Sequence, residues 1–197
     1  MLNTGNILFV GVGGQGTISA SNLLASGLIE LGFDVKMSEV HGMAQRGGSV
    51  STQVRYAEKV HSPLIEKGTC DLMVSFEKSE SARWLNYLKE DGTIISSEHE
   101  IRPYSVNVGK ENYPENILVE MKEKGIHVIS VDAQKEGEAL GNGKAANMFL
   151  LGMLCKEMDL PDVVFTKLIK EYFKPKLQEV NLKAFMSGYS RVQSKIQ

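Results

Sequence analysis

The chain has 197 residues, 42% of them hydrophobic and 23% charged, which is ordinary globular usage and sets aside disordered and fibrous classes. Lys and Arg number 22 against 24 Asp and Glu, a net charge of -2, so nothing draws the chain to nucleic acid or to an anionic membrane surface. No apolar run reaches the roughly 20 residues of a membrane span, and Met1 to Gly5 carries no basic n-region or cleavage site, so a cytoplasmic protein is expected.

Residues 6–12 read as a buried first strand, and 17–31 as a helix with Ile18, Leu24, Leu28 and Leu31 near helical spacing, stopped by Gly32. Phe33 to Met37 alternates as a half-buried strand would, and the stretch from Glu39 to Gly48 then interrupts all periodicity. Ser49 to Tyr56 alternates again, with Val50 and Val54 against Ser51, Gln53 and Arg55, and predicts a strand with one wetter face. It follows the preceding strand too closely for a crossover helix, so the mostly parallel sheet is expected to be mixed.

Asp71 to Phe76 predicts a strand leading into a helix over 78–88, and Gly92 to Ser96 the next strand. Pro114 suits the first turn of a helix ending near Gly125, His127 to Val131 reads as another strand, and Asp132 as the N-cap of the segment after it. From Lys144 the pattern is helical: Ala145 to Cys155 is apolar almost all round, and later stripes run Val164, Leu168, Tyr172 and Leu177, Val180, Ala184. The expected fold is one α/β domain over 1–197, a three-layer Rossmann-like sandwich with a helical C-terminal segment. Cys70 and Cys155 are expected to be reduced core thiols; two lone cysteines without a Cys-x-x-Cys cannot build a zinc site or an iron–sulfur cluster.

Two glycine loops carry the chemistry. In Gly11-x-Gly13-Gly14-Gln15-Gly16 the glycines allow a tight turn, a close backbone approach to a ligand and helix–strand packing, and Gly14 adds further freedom. Glu39 falls roughly where a ribose-binding acid would stand, which makes a self-contained NAD(P)-binding oxidoreductase using Gly11, Gly13, Gly16 and Glu39 one reading. A small-molecule sensor is another, and glycines that only admit a packed subunit are a third. The second loop sets His41, Gln45 and Arg46 among Gly42, Gly47 and Gly48 and should emerge at the same sheet end. Arg46 suits a bidentate carboxylate or phosphate partner, or pairs with Glu39 to rigidify the turn. His41 reads as a turn or interface residue more than a catalyst, because no Ser or Cys nucleophile accompanies it.

Gly11 to Gly16, Ser38-Glu39-Val40-His41-Gly42-Met43-Ala44-Gln45-Arg46-Gly47-Gly48-Ser49-Val50, Ser62-Pro63-Leu64-Ile65 and Leu140-Gly141-Asn142-Gly143-Lys144-Ala145-Ala146-Asn147-Met148 together resemble the gamma-type subunit of 2-oxoacid:ferredoxin oxidoreductases. The His-Gly-Met-Ala-Gln-Arg-Gly-Gly form is most similar to the indolepyruvate branch, and Gly143 departs from the proline often found in its turn. The resemblance implies an accessory subunit, without catalytic residues or metal of its own, in a complex that oxidatively decarboxylates aryl pyruvates to acyl-coenzyme A. Thiamine diphosphate with magnesium and [4Fe–4S] clusters are then expected in a larger catalytic partner. Ferredoxin would be met indirectly and coenzyme A at the interface.

Overall fold

The computed structural model describes residues 4–41 and 47–192. The first strand, β1 (Gly5–Val12), is buried along nearly its whole length because Ile7 and Phe9 enter one face of the sheet while Leu8 and Val10 enter the other. Helix α1 (Thr17–Glu30) returns antiparallel to it and ends at Gly32, whose φ of 93° supplies the left-handed exit that other residues resist. Next come β2 (Asp34–His41), β3 (Ser49–Ala57), β4 (Cys70–Ser75), α2 (Lys78–Arg83) and β5 (Leu88–Ser97). They are followed by α3 (Tyr104–Asn107), α4 (Ile117–Glu123), β6 (His127–Val131) and α5 (Ala133–Ala139), and then by three helices, α6 (Ala146–Glu157), α7 (Asp162–Tyr172) and α8 (Pro175–Arg191).

The six strands lie in the order β2-β3-β1-β4-β5-β6, with β3 antiparallel to both neighbours and the remaining pairs parallel. The expected mixed α/β sandwich is therefore present. One face of the sheet packs Ile7, Phe9, Val54 and Val74 against α1, α6 and the C-terminal helices; the other packs Leu8, Val10, Met73 and Ile94 against Ile65, Leu118 and Met121. Helix α6 is buried continuously from Asn147 to Cys155, as its all-round apolar pattern predicts.

Several expectations change. Strand β2 does not stop at Met37: pairing of Glu39 with Thr52 and His41 with Val50 carries it to His41, because backbone ladder bonds need no alternation of side chains. The polar face of β3 is not wet. Ser51 and Gln53 are both buried, and Gln53 lies against the 58–65 segment, its Oε1 accepting the Ile65 N–H at 2.6 Å. The helix predicted over 78–88 ends at Arg83, a 3₁₀ turn covers Leu85–Tyr87, and β5 starts at Leu88 with a register shift against β4. Pro114 precedes α4 in a turn, its carbonyl accepting the Ile117 N–H at 3.3 Å. Ile18 and Tyr172, read as core-facing, are 44% and 48% exposed; Ile18 stands in the first turn of its helix, at the rim of a cleft.

A buried carboxylate anchors the excursion between β5 and α4. Glu77 is fully buried and caps α2, its Oε2 accepting the Glu80 N–H at 3.0 Å and the Ser79 hydroxyl at 2.6 Å. Its Oε1 accepts the Ile101 N–H at 3.3 Å and the Tyr113 hydroxyl, so its lone pairs are satisfied by neutral donors. Burial, then the bond to Glu77, pushes the Tyr113 phenol pKa well up. Lys78 pairs with Glu100 and donates to the Glu115 carbonyl at 2.8 Å, closing the base of the excursion.

Candidate functional site

The chain leaves β1 at Val12 and turns through Gly13 to Gly16 into α1. Gly14 and Gly16 have φ of 106° and 83°, which disfavours any other residue at either position. They differ in surroundings. A Cβ on Gly14 would meet open space, whereas one on Gly16 would lie 2.4 Å from Asn147 Nδ2. Gly16 is thus the point where the start of α1 touches the start of α6, with its carbonyl accepting the Asn147 amide at 3.4 Å.

Gln15 stitches the centre of the sheet. Its Oε1 accepts the Val12 N–H at 2.7 Å and its Nε2 donates to the Phe76 carbonyl at 2.8 Å, while the Phe76 N–H donates to the Val10 carbonyl at 2.9 Å. β1 and β4 are the strands between which the chain order reverses, the crevice where open α/β sheets receive ligands. Gly11 seats this amide, since a Cβ there would lie 2.9 Å from Gln15 Oε1.

The second loop meets the first by direct hydrogen bonds: Gly13 N–H to the Gly48 carbonyl at 2.8 Å and Gly47 N–H to the Gly13 carbonyl at 3.3 Å. Both loops lie at one sheet end, as expected. Gly42 to Arg46, including Gln45 and Arg46, fall outside the described residues. Glu39 and His41 line a cleft of about 440 Å³ with Gly13, Gly16, Ile18 and Val50. Helix α1 opens into this cleft without a side-chain cap, so its first-turn amides face whatever docks there.

This arrangement does not reproduce a dinucleotide site. In that fold the acid-bearing second strand lies beside the first, whereas β3 separates β2 from β1 here, setting Glu39 one strand spacing, about 5 Å, farther out.

A second cleft of about 310 Å³ opens on the other side of Gly14, among Gln15, Phe76, His99, Gln134, Asn142 and Lys144. Sequence reasoning missed His99 and Gln134, and named Lys144 only as part of a family turn, not as lining a cleft. The signal available was the Asn142-Gly143-Lys144 turn. Asn142 Oδ1 caps it by accepting the Lys144 N–H at 3.1 Å, and a Cβ on Gly143 would lie 2.4 Å from Gln134 Nε2. The bare glycine admits Gln134 to the wall of the cleft.

Cys70 and Cys155 lie in the cores on opposite faces of the sheet, and among the described residues no three His, Cys, Asp or Glu side chains converge. Burial pushes the Cys70 thiol up to about 12 and raises Cys155 well above its ordinary value. Among the described residues no helix is long and apolar enough to cross a membrane.

The chain is 37% identical over 190 residues to the indolepyruvate oxidoreductase subunit IorB of Archaeoglobus fulgidus, covering 94% of each chain. Its fold is similar to that of a pyruvate oxidoreductase subunit from Thermotoga maritima, with a TM-score of 0.72 at 23% identity, over 95% of this chain and 96% of the other. It is also similar to part of the 2-oxoglutarate:ferredoxin oxidoreductase of Magnetococcus marinus, with a TM-score of 0.74 at 18% identity, over 95% of this chain but 30% of that longer one. The profile of the pyruvate ferredoxin/flavodoxin oxidoreductase family matches residues 6–191, and the chain belongs to that family.

Proposed function

We propose that this chain is the accessory, gamma-type subunit of an aryl-pyruvate:ferredoxin oxidoreductase, which decarboxylates a 2-oxoacid to acyl-coenzyme A and passes electrons to ferredoxin. The observation that carries this reading is the near full-length likeness to indolepyruvate oxidoreductase subunits. In the proposal a larger catalytic subunit holds thiamine diphosphate with magnesium and the [4Fe–4S] clusters. The described residues of this chain bring no comparable set of ligands together.

The task left to this chain is positioning. Gly14 forms the ridge between the two clefts, with open space where a side chain would stand, so backbone can approach a partner or ligand closely. Glu39 and His41 on one side, and His99 and Lys144 on the other, supply charge and hydrogen bonds at the rim. Coenzyme A, with its phosphates, meets the complex along this rim. The isolated chain is inactive.

The test is co-expression of the tagged chain with the catalytic subunit, followed by co-purification and an assay of indolepyruvate-dependent ferredoxin reduction. Activity is expected in the complex alone. A catalytic subunit that works equally well without this chain overturns the accessory role, and preference for pyruvate over indolepyruvate overturns the substrate class.

A further inference from the structure

At the opposite end of the sheet from the glycine loops lies a cavity of about 390 Å³, bordered by Asn6, Arg55, Tyr56, Lys59, His61 and Asp71. From Ser49, beside the first glycine loop, to Tyr56 the strand rises about 24 Å, so this cavity is remote from the clefts described above. It is built against Ser62-Pro63-Leu64-Ile65, a motif with no part in the proposed docking.

The Arg55 guanidinium is fixed in place. Its Nε donates to Asn6 Oδ1 at 2.8 Å, and its Nη1 donates to the carbonyls of Ser62 and Leu64, each at 3.1 Å. These neutral acceptors orient the group without cancelling its charge, and among the described residues Nη2 has no partner. Tyr56 packs where a Gly5 Cβ would stand, its hydroxyl 2.6 Å from that position, so glycine at 5 permits this placement of the phenol. Burial raises the pKa of Tyr56, keeping its hydroxyl a neutral donor.

Two carboxylates nearby are already committed, while Glu66 borders a separate, smaller cavity with Arg55 and Asn6. Asp71 accepts the Asn6 N–H at 2.7 Å and pairs with Lys89 at 2.6 Å, and Asp34, which feels the charges of Lys59 and His61, accepts the Val60 N–H at 2.9 Å. Among the described residues neither Lys59 nor His61 makes a hydrogen bond or a close ion pair. A preset guanidinium edge, a phenol, an ammonium and an imidazole together form a donor-rich wall.

We infer that this cavity binds the oxyanion group of a small metabolite, a phosphate ester or a carboxylate, at a site separate from the glycine-loop clefts. The inference is independent of the proposed accessory role.

The test is an NMR titration of the full chain with inorganic phosphate and, in a second arm, acetate, each against chloride at matched ionic strength. Saturable shifts of the Asn6, Arg55, Tyr56, Lys59 and His61 amides are expected; phosphate acting alone identifies a phosphate site, and an equal response to acetate identifies a carboxylate site. The exposed pair Lys59→Ala with His61→Ala should weaken binding about tenfold while leaving the remaining amide spectrum in place. Shifts no larger than with chloride, shifts centred on Gly13 and Gly14 instead, or undiminished binding by the double variant would each overturn the inference.

Discussion

Gly152 and Gly188 face each other across α6 and α8 in a reciprocal contact. A Cβ on Gly152 would lie 2.0 Å from the Phe185 carbonyl oxygen, and one on Gly188 would lie 1.9 Å from that of Phe149. Backbone meets backbone on both sides, so no side chain can swing away to make room. Gly152→Ala or Gly188→Ala is expected to push the helices apart and cost about 3 kcal/mol, the upper end of ordinary overpacking. Thermal or urea unfolding reads the loss. An unchanged midpoint would mean that α8 slides freely on α6.

Gln15→Ala should strand the Val12 N–H and the Phe76 carbonyl together, since one side-chain amide serves both. Leaving such groups unpaired costs about 1–3 kcal/mol each where water cannot replace the lost partner. The expected signature is local: faster hydrogen exchange at Val12, with a modest fall in global stability. Exchange unaltered at Val12 would show that water takes over the glutamine's place.

Much of this architecture is legible in the sequence where side-chain periodicity and burial coincide. β1, α1 and α6 are of that kind, as is Asp132, which caps α5 by accepting the Lys135 N–H at 3.1 Å. The extension of β2 through Glu39 is hidden because its outer residues are exposed and only the ladder to β3 defines them. Burial of Gln53 is hidden for another reason: it is met by Ile65 from the 58–65 segment, and no local pattern announces that a loop will lie on a strand. The glycine loop is legible as a motif, yet Gln15's bond to the Phe76 carbonyl joins residues 61 apart in the chain. His99, Gln134 and Lys144 converge only through the sheet order.

Acid should weaken the excursion between β5 and α4. The hydrogen bond from Lys78 holds the Glu100 carboxyl below its ordinary value of 4.5, with Arg102 adding a smaller push in the same direction. A carboxylate depressed in the folded state stabilises above its unfolded pKa, and that contribution is lost as pH falls through the lower folded value. Between about pH 5 and about pH 3 the native chain should therefore lose more thermal stability than Glu100→Gln, which has no proton to take up at that position. Parallel melting curves for the two proteins would remove Glu100 from the account.

Neither cysteine should react in the folded state. Cys70 is buried, its thiol donating to the Leu72 carbonyl at 3.2 Å, and Cys155 is buried in α6. With the thiols held well above their ordinary pKa, the nucleophilic thiolate is scarce as well as inaccessible. A thiol reagent should label no cysteine in native buffer and both in denaturant. Rapid labelling of the native chain would place one of them at the surface.

The insertion of β3 between β1 and β2 also dictates an order of assembly. As the chain is synthesised, β1, α1 and β2 all emerge before β3, yet neither strand has a neighbour among those first residues with which to form a ladder. Among the described residues β2 has no strand partner other than β3, and β1 must wait for β3 or for the still later β4. The N-terminal strands of the nascent chain thus remain unladdered until residue 57 has been made, when a local hairpin can supply β2 with its neighbour and β1 with one of its two. Adding residues to the connection between β2 and β3 would hinder that step only slightly, since doubling a loop's length costs about 0.6 kcal/mol in closure entropy. Deleting β3 would leave β2 with no place in the sheet.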